Sequence, residues 1–295
     1  MEASHLNQKL HNHARSNSLP SKPHPLILQC KEHLATLGSS LSTSSSSLSF
    51  KLSTLLDLHG CIENLVQLGA TQEALGKEPR EKWMDELLDG SLGILDACTS
   101  AKEALHHTKE CIRELHSTVR KRRRGGEMEL LVEARRFLTS RKVGKKAILK
   151  ALVNLKGGEN KCNSSLTNKD SENMALINLL KGGEMITLSV FESLLRLISG
   201  STQSKQGSWK FVSKLIHRKR ITSCILEAEN DNEFAKLDAE LQSMILTERR
   251  SQKVNDLRNH LEKLESRIHE LEEGLDFLFR RLIKIRVSLL NILNH

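Results

Sequence analysis

VNDLRNHLEKLESRIHELEEGLDFLFRRLIKIRVSLLNI, residues 254–292, decides the fold. Val254, Leu257, Leu261, Leu264, Ile268, Leu271, Leu275, Leu278, Leu282, Ile285, Leu289 and Ile292 alternate spacings of three and four without a miss. That is the period of one long helix with an apolar seam, roughly 58 Å from end to end. Before Leu275 the seam is flanked by charge (Arg258, Glu265, Arg267, Glu272). After it, Phe277, Phe279, Ile283, Val287, Leu290 and Leu293 widen the apolar surface nearly all round. A narrow seam suits a two-helix contact and a wide one a multi-helix core. The last twenty residues are therefore expected to be buried in a bundle, with the preceding twenty pairing more loosely. The seam itself has two uses, the core of one chain or a homodimeric coiled coil through 254–292.

The rest of the chain agrees with a helical reading. Aromatics are 3% of the 295 residues and tyrosine is absent, which disfavours strands. Three of the four prolines (Pro20, Pro23, Pro25) stand together near the start, so long helices are free to form beyond them. Leu52, Leu55, Leu56, Ile62, Leu65 and Val66 predict a helix from Phe50 that ends near Gly69, and Trp83 to Val119 predict a much longer one. Residues 1–49 are expected to form a disordered head, with PLILQCKEHLATL docking as a short helix before the serine linker GSSLSTSSSSLS of residues 38–49. Residues 50–295 then make the helical domain. Glycine pairs at Gly125-Gly126 and Gly157-Gly158 predict helix ends, each between a cation and an acid in the order the helix dipole favours. Gly182-Gly183 sits inside an apolar pattern and predicts a kink. The fold class is all-α, an elongated multi-helix bundle with long coiled-coil-like helices.

The formal charge of +9 has one source. Residues 120–150 hold twelve Lys and Arg against Glu127, Glu129 and Glu133, and the remainder balances at 33 of each sign. The densest part is VRKRRRGGE, residues 119–127, with Arg120, Lys121, Arg122, Arg123 and Arg124 adjacent. Three readings are open: a solvated charged face, a nuclear address at Lys121 to Arg124, or a grip on anionic lipid or nucleic acid. Base stacking is disfavoured, since Phe137 is the sole aromatic among these cations. Downstream, Leu131, Ala134, Leu138, Ile148, Leu152 and Leu155 form a stripe that Arg141 and Lys145 interrupt. That interruption predicts a stretch facing solvent or a partner.

The search for chemistry is mostly negative. The sequence has no P-loop, no dinucleotide fingerprint, no HExxH and no GxSxG, and no catalytic, metal or cofactor-binding residue is assigned. Glu103 and His107 stand one turn apart as a surface pair, and Cys98 lies on an apolar stripe as a core residue. Six scattered cysteines without CxxC point to reduced thiols in a cytoplasmic or nuclear protein. A plastid leader is compatible with the acid-poor start, and no uncharged apolar stretch reaches the ~20 residues of a membrane span. In the head, Arg15-Ser16-Asn17-Ser18-Leu19-Pro20 is similar to the phosphoserine motif bound by 14-3-3 proteins, with Arg15 placed for a basophilic kinase acting on Ser18.

RSNSLPSKPHP, KWMDELLDGSLGILDACTSAKEAL, SWKFVSKLIHRKR and LEEGLDFLFRRLIKIRVSLLNILNH together resemble the plant-specific domain-of-unknown-function 241 family. The resemblance covers nearly the whole chain. It implies an all-α plant protein linked, through association with the Bypass-type proteins, to root and shoot development. It carries over no catalytic residue. The chain departs from the family pattern at Gly182-Gly183, where the family has uninterrupted helix. The expected function is that of a non-enzymatic interaction or adaptor protein, with residues 120–150 as its contact surface.

Overall fold

A computed structural model describes residues 24–42, 47–77, 82–121, 127–162, 172–200, 232–246 and 253–294. They form eight helices and, among the described residues, no strand. In chain order these are α1 (Pro25–Ser42), α2 (Leu48–Gln67), α3 (Gly69–Lys77), α4 (Lys82–Lys121), α5 (Glu127–Cys162), α6 (Glu172–Ser199), α7 (Glu233–Leu246) and α8 (Lys253–Asn294).

Four of them close a ring: α2 packs on α6, α6 on α4, α4 on α8, and α8 back on α2. Polar contacts fix the directions. Lys102–Asp276 (2.5 Å), Lys109–Glu272 (2.5 Å) and Arg113–Glu265 (2.9 Å) run in opposite order along α4 and α8, so these helices are antiparallel. Gly60 faces Arg281 and Glu63 pairs with Lys284 at 3.1 Å, so α2 and α8 are parallel. The remaining helices lie outside the ring. α1 covers α2 and α6, α5 covers α4 and α6, and α7 bridges α5, α6 and α8.

The apolar seam of residues 254–292 is spent within the chain. Every residue from Leu257 to Ile292 in it is buried, and Val254 packs at its end. A homodimer would therefore have to use a different surface from this stripe. The predicted widening is corrected: Phe277 is 60% exposed, and Ile283, Val287 and Leu290 are also exposed. The reason is that α2 and α4 flank α8 from the inside, and no described helix covers its outer face. Helix α6 has the opposite fate. With α1, α2, α4, α5 and α7 around it, residues 176–190 are buried almost without interruption. Among the described helices, α6 alone is long and apolar enough to cross a membrane, yet 78% of that window is buried inside the bundle.

The glycine pairs read differently in three dimensions. α6 runs unbroken through Gly182-Gly183, so no helix end falls there. At Gly183 a Cβ would lie 2.8 Å from Ile62 Cδ1, so the missing side chain lets α6 approach α2. Helix α5 continues past Gly157-Gly158 to Cys162, which overturns the predicted end. Glycine costs about 1 kcal/mol in a helix but does not stop one unless the chain also turns left-handed. That turn occurs at Gly200, where φ is 71° and the N–H donates to the Leu197 carbonyl at 3.0 Å. Gly125-Gly126 lie outside the described residues, between the end of α4 and the start of α5.

The head-side boundary also shifts. α1 forms over the predicted apolar stretch and continues through Gly38 into the serine run as far as Ser42. Cys30 and Leu37 are fully buried, and the Ser40 hydroxyl donates to the Leu37 carbonyl at 2.8 Å. Ser47 caps α2 by accepting from Phe50 N–H at 3.2 Å, so the second helix begins at Leu48.

Candidate interaction surface

Helix α5 has two distinct sides. Inward go Leu130, Leu131, Ala134, Phe137, Ile148, Leu152 and Leu155. Outward, within about half of the helical circumference, go Arg135, Arg136, Lys142, Lys146 and Lys150, together with Met128, Val132, Val143, Leu149 and Val153. Val153 is 69% exposed. Arg136 reaches Glu114 (3.7 Å) and Glu133 (3.9 Å), contacts long enough and exposed enough to stabilise little. Arg135, Lys142, Lys146 and Lys150 have no acidic partner among the described residues. Isolated small aliphatic groups thus alternate with unneutralised cations over the roughly 38 Å between Met128 and Val153.

The interruption at Arg141 and Lys145 has another explanation from the one its sequence invites. Arg141 is 4% exposed and forms a fork on α7, with Nε donating to Asp238 Oδ1 (3.1 Å) and Nη2 to Oδ2 (3.2 Å). Its guanidinium also stands 5.7 Å from the Phe234 ring centre. Lys145 Nζ reaches Asp238 Oδ2 at 2.9 Å. The expected solvent-facing stretch is therefore partly internal, and its acid comes from a helix that sequence reading did not assign. Planar bidentate pairing is what lets a guanidinium enter such a site. Beside it, a cleft of about 350 Å³ is lined by Leu138, Lys142, Ile245 and Leu246 as well as this ion pair. One carboxylate faces three cations there, so the cleft adds to the positive field of α5.

Arg120 and Lys121 end α4 with exposed side chains, adjacent in the chain to α5. Arg122, Arg123 and Arg124 lie outside the described residues, as do Arg15, Ser16, Ser18 and Pro20. The structure therefore brings together the outer cations of α5 and leaves the two sequence motifs without geometry.

A second polar group is buried inside the ring. His59 Nε2 meets Thr187 Oγ1 at 2.8 Å, and Lys181 donates to Glu86 at 2.8 Å. Burial, helped by the Arg281 charge, pushes the His59 imidazole down to about 4, so it is neutral. Glu184 points at Gly90, and burial raises its carboxyl well above the usual range, opposed by Lys181. These groups join α2, α4 and α6 and are largely shielded from solvent. On the surface, Cys111, His107 and Ser140 share contacts of 3.2–3.5 Å between α4 and α5. Glu103 is exposed beside them and Cys98 is a core residue that contacts the Leu275 carbonyl. No group of three metal-ligating side chains occurs among the described residues.

With the bundle and its basic outer helix described, comparison with known proteins gives one positive result. A family model described as Protein BPS1 matches residues 51–292. The chain belongs to the BPS1 family. This is the plant-specific family that the motifs resemble, and the match runs from the start of α2 to the last turns of α8. Helix α1 lies outside it. No curated protein and no solved structure matches the chain. BPS1 family membership fits an all-helical plant protein with a developmental role.

Proposed function

We propose that this BPS1-family protein is a non-enzymatic adaptor in root and shoot development, and that its contact surface is the outer face of α5. The observation that carries this reading is the set of cations at Arg135, Lys142, Lys146 and Lys150, which no described acid neutralises, alternating with exposed Val132, Val143, Leu149 and Val153. Such a face complements an acidic amphipathic helix, whose carboxylates meet the cations while its apolar residues cover the valines. Nucleic acid is the poorer fit, because Phe137 is buried and no aromatic stands on the face for stacking. An anionic bilayer is the second reading, favoured by the same charge. Against it, the exposed apolar residues are small and scattered and include no Trp or Phe of the kind that inserts at an interface. The Arg15-Ser16-Asn17-Ser18-Leu19-Pro20 motif is a separate element in this proposal, bound by a 14-3-3-like partner once Ser18 is phosphorylated.

The test uses the full chain and three probes: a helical peptide with glutamates flanking a leucine stripe, vesicles containing phosphatidylserine, and duplex DNA. Binding of the peptide, weakened by salt and abolished by K142E/K146E/K150E with unchanged melting, supports the proposal. Binding of the vesicles alone transfers it to the membrane. Binding of none of the three, or equal binding by the triple variant, overturns it.

A further inference from the structure

Asp238 organises the cleft between α5 and α7. Its Oδ1 accepts from Arg141 Nε at 3.1 Å, and its Oδ2 is 3.2 Å from Arg141 Nη2 and 2.9 Å from Lys145 Nζ. The Phe234 ring lies against the same guanidinium. Two of the cations that line the cleft are therefore fixed in place by the fold. They also keep donors to spare, because an ammonium carries three N–H groups and Arg141 Nη1 stands outside the fork. Lys142 adds a third cation, which no described acid neutralises, and Gln242 adds an uncharged amide. Three positive charges thus meet a single carboxylate in the lining. The rest of it is apolar: Leu138 and Ile245, both packed against the core, and the exposed Leu246.

We propose that this cleft binds a small phosphate monoester that carries an apolar substituent. Near neutrality such a phosphate holds a charge of about −1.5 to −2 and three acceptor oxygens. It cancels the positive surplus of the lining, whereas a carboxylate cancels only half of it. The phosphate stands against Lys142, Lys145 and the free edge of Arg141, away from Asp238, which would repel it. The substituent rests on Leu138 and Ile245. A volume of about 350 Å³ admits one compact ligand and is too small for a partner helix.

This site does not rest on the outer face of α5 as a partner surface. It shares Lys142 with that row, but Lys146 and Lys150 are not in its lining. Arg141 and Lys145 have two uses, closing α5 on α7 and offering their remaining donors to the ligand.

The experiment titrates the full chain with hexyl phosphate, inorganic phosphate and hexanoate by calorimetry, and with phosphatidylcholine vesicles with and without phosphatidic acid by co-sedimentation. Hexyl phosphate is expected to bind about tenfold or more tightly than either of the other soluble ions. K142Q/K145Q removes two of the three cations and should weaken it by about tenfold or more. Q242W, which fills the cleft without changing its charge, should do the same, and both variants should melt within a few degrees of the wild type. K146Q/K150Q should keep hexyl phosphate affinity within about threefold while weakening the acidic helical peptide, so the two surfaces fail or succeed separately. Binding to phosphatidic acid vesicles that hexyl phosphate displaces makes a lipid the source of the phosphate, and its absence makes the ligand a soluble ester. Equal binding of inorganic phosphate or hexanoate overturns the proposal. So does a wild-type chain that binds no hexyl phosphate, or full affinity in either cleft variant.

Discussion

Helices α8 and α5 are both long and highly charged, but they spend their charge differently. On α8, Glu265, Glu272 and Asp276 meet α4, Lys284 meets α2, and Lys263 and Arg267 meet Glu233 of α7. Its ions set direction and register. On α5, Arg141 and Lys145 do the same work against α7, whereas Arg135, Lys142, Lys146 and Lys150 meet no described acid. A charge run is informative about function only after the charges consumed by the fold are removed from it. Here that subtraction takes Arg141 and Lys145 out of the basic segment and leaves a regular outer row.

The largest effect should come from α8. Removing residues 277–295 deletes buried Leu278, Leu282, Ile285, Leu289 and Ile292, each contributing about 1.5–3 kcal/mol. That sum is comparable with the whole stability of a domain. The truncated chain should lose its cooperative thermal transition, and a transition kept within a few degrees would show that α8 is not part of the core.

Next comes the α5–α7 clamp. Asp238→Ala strands Arg141 and leaves Lys145 unpaired, a change that costs about 3–5 kcal/mol for a buried pair. Urea unfolding should show the drop. The double variant R141M/D238L, which removes both charges, should recover most of it. A small loss in Asp238→Ala would mean that Arg141 is solvated and belongs with the outer cations after all.

How much of this was legible depends on what each residue touches. The α8 seam was legible because twelve apolar positions repeat at one period, and a single buried stripe needs no knowledge of its neighbours. The burial of Phe277, Ile283 and Val287 was misread because apolar side chains on the outer face look the same in sequence whether or not another helix covers them. Arg141 was misread for the converse reason: its acid lies 97 positions away in the chain. Asp238 stands within the stripe Phe234, Leu237, Leu241 and Met244, and an acid on an apolar stripe was the signal that could have found it. His59 and Glu184 carried no signal of their own, since their burial comes from ring closure by α2, α4 and α6. The outer row of α5 was half legible. Its charge excess was plain, but its alternation with exposed valines needed the inward face to be fixed first.

The ring interior gives a pH dependence of known sign. His59 sits near 4 in the fold and near 6.5 when unfolded, so the unfolded chain binds more protons between those values. The His59 contribution costs nothing above about 6.5 and lowers stability as pH drops toward 4, by about 3 kcal/mol in total. Glu184 acts in the opposite direction: its protonated form is favoured in the fold, so its contribution is present below the unfolded value and is lost as pH rises through the raised one. Chemical denaturation should show H59Q flattening the fall toward acid and E184Q flattening the fall that sets in as pH rises above the ordinary carboxylate range. Lys181, Glu86 and Arg281 surround the pair, so the informative quantity is the change in slope between each variant and the wild type.

The smallest stability effect should belong to the face that matters most for binding. Lys109→Ala removes a mostly buried pair to Glu272 between α4 and α8 and should cost about 1.5–3 kcal/mol. Lys146→Ala removes an exposed side chain with no described partner and should change the unfolding free energy by less than about 0.5 kcal/mol. Affinity should rank the two in reverse. For the acidic helical peptide, Lys146→Ala should weaken binding several-fold and lower the salt dependence, while Lys109→Ala leaves both unchanged. A protein in which both substitutions act on stability alone would place the outer row of α5 with the α8 ions, as part of the fold and not as a surface kept for a partner.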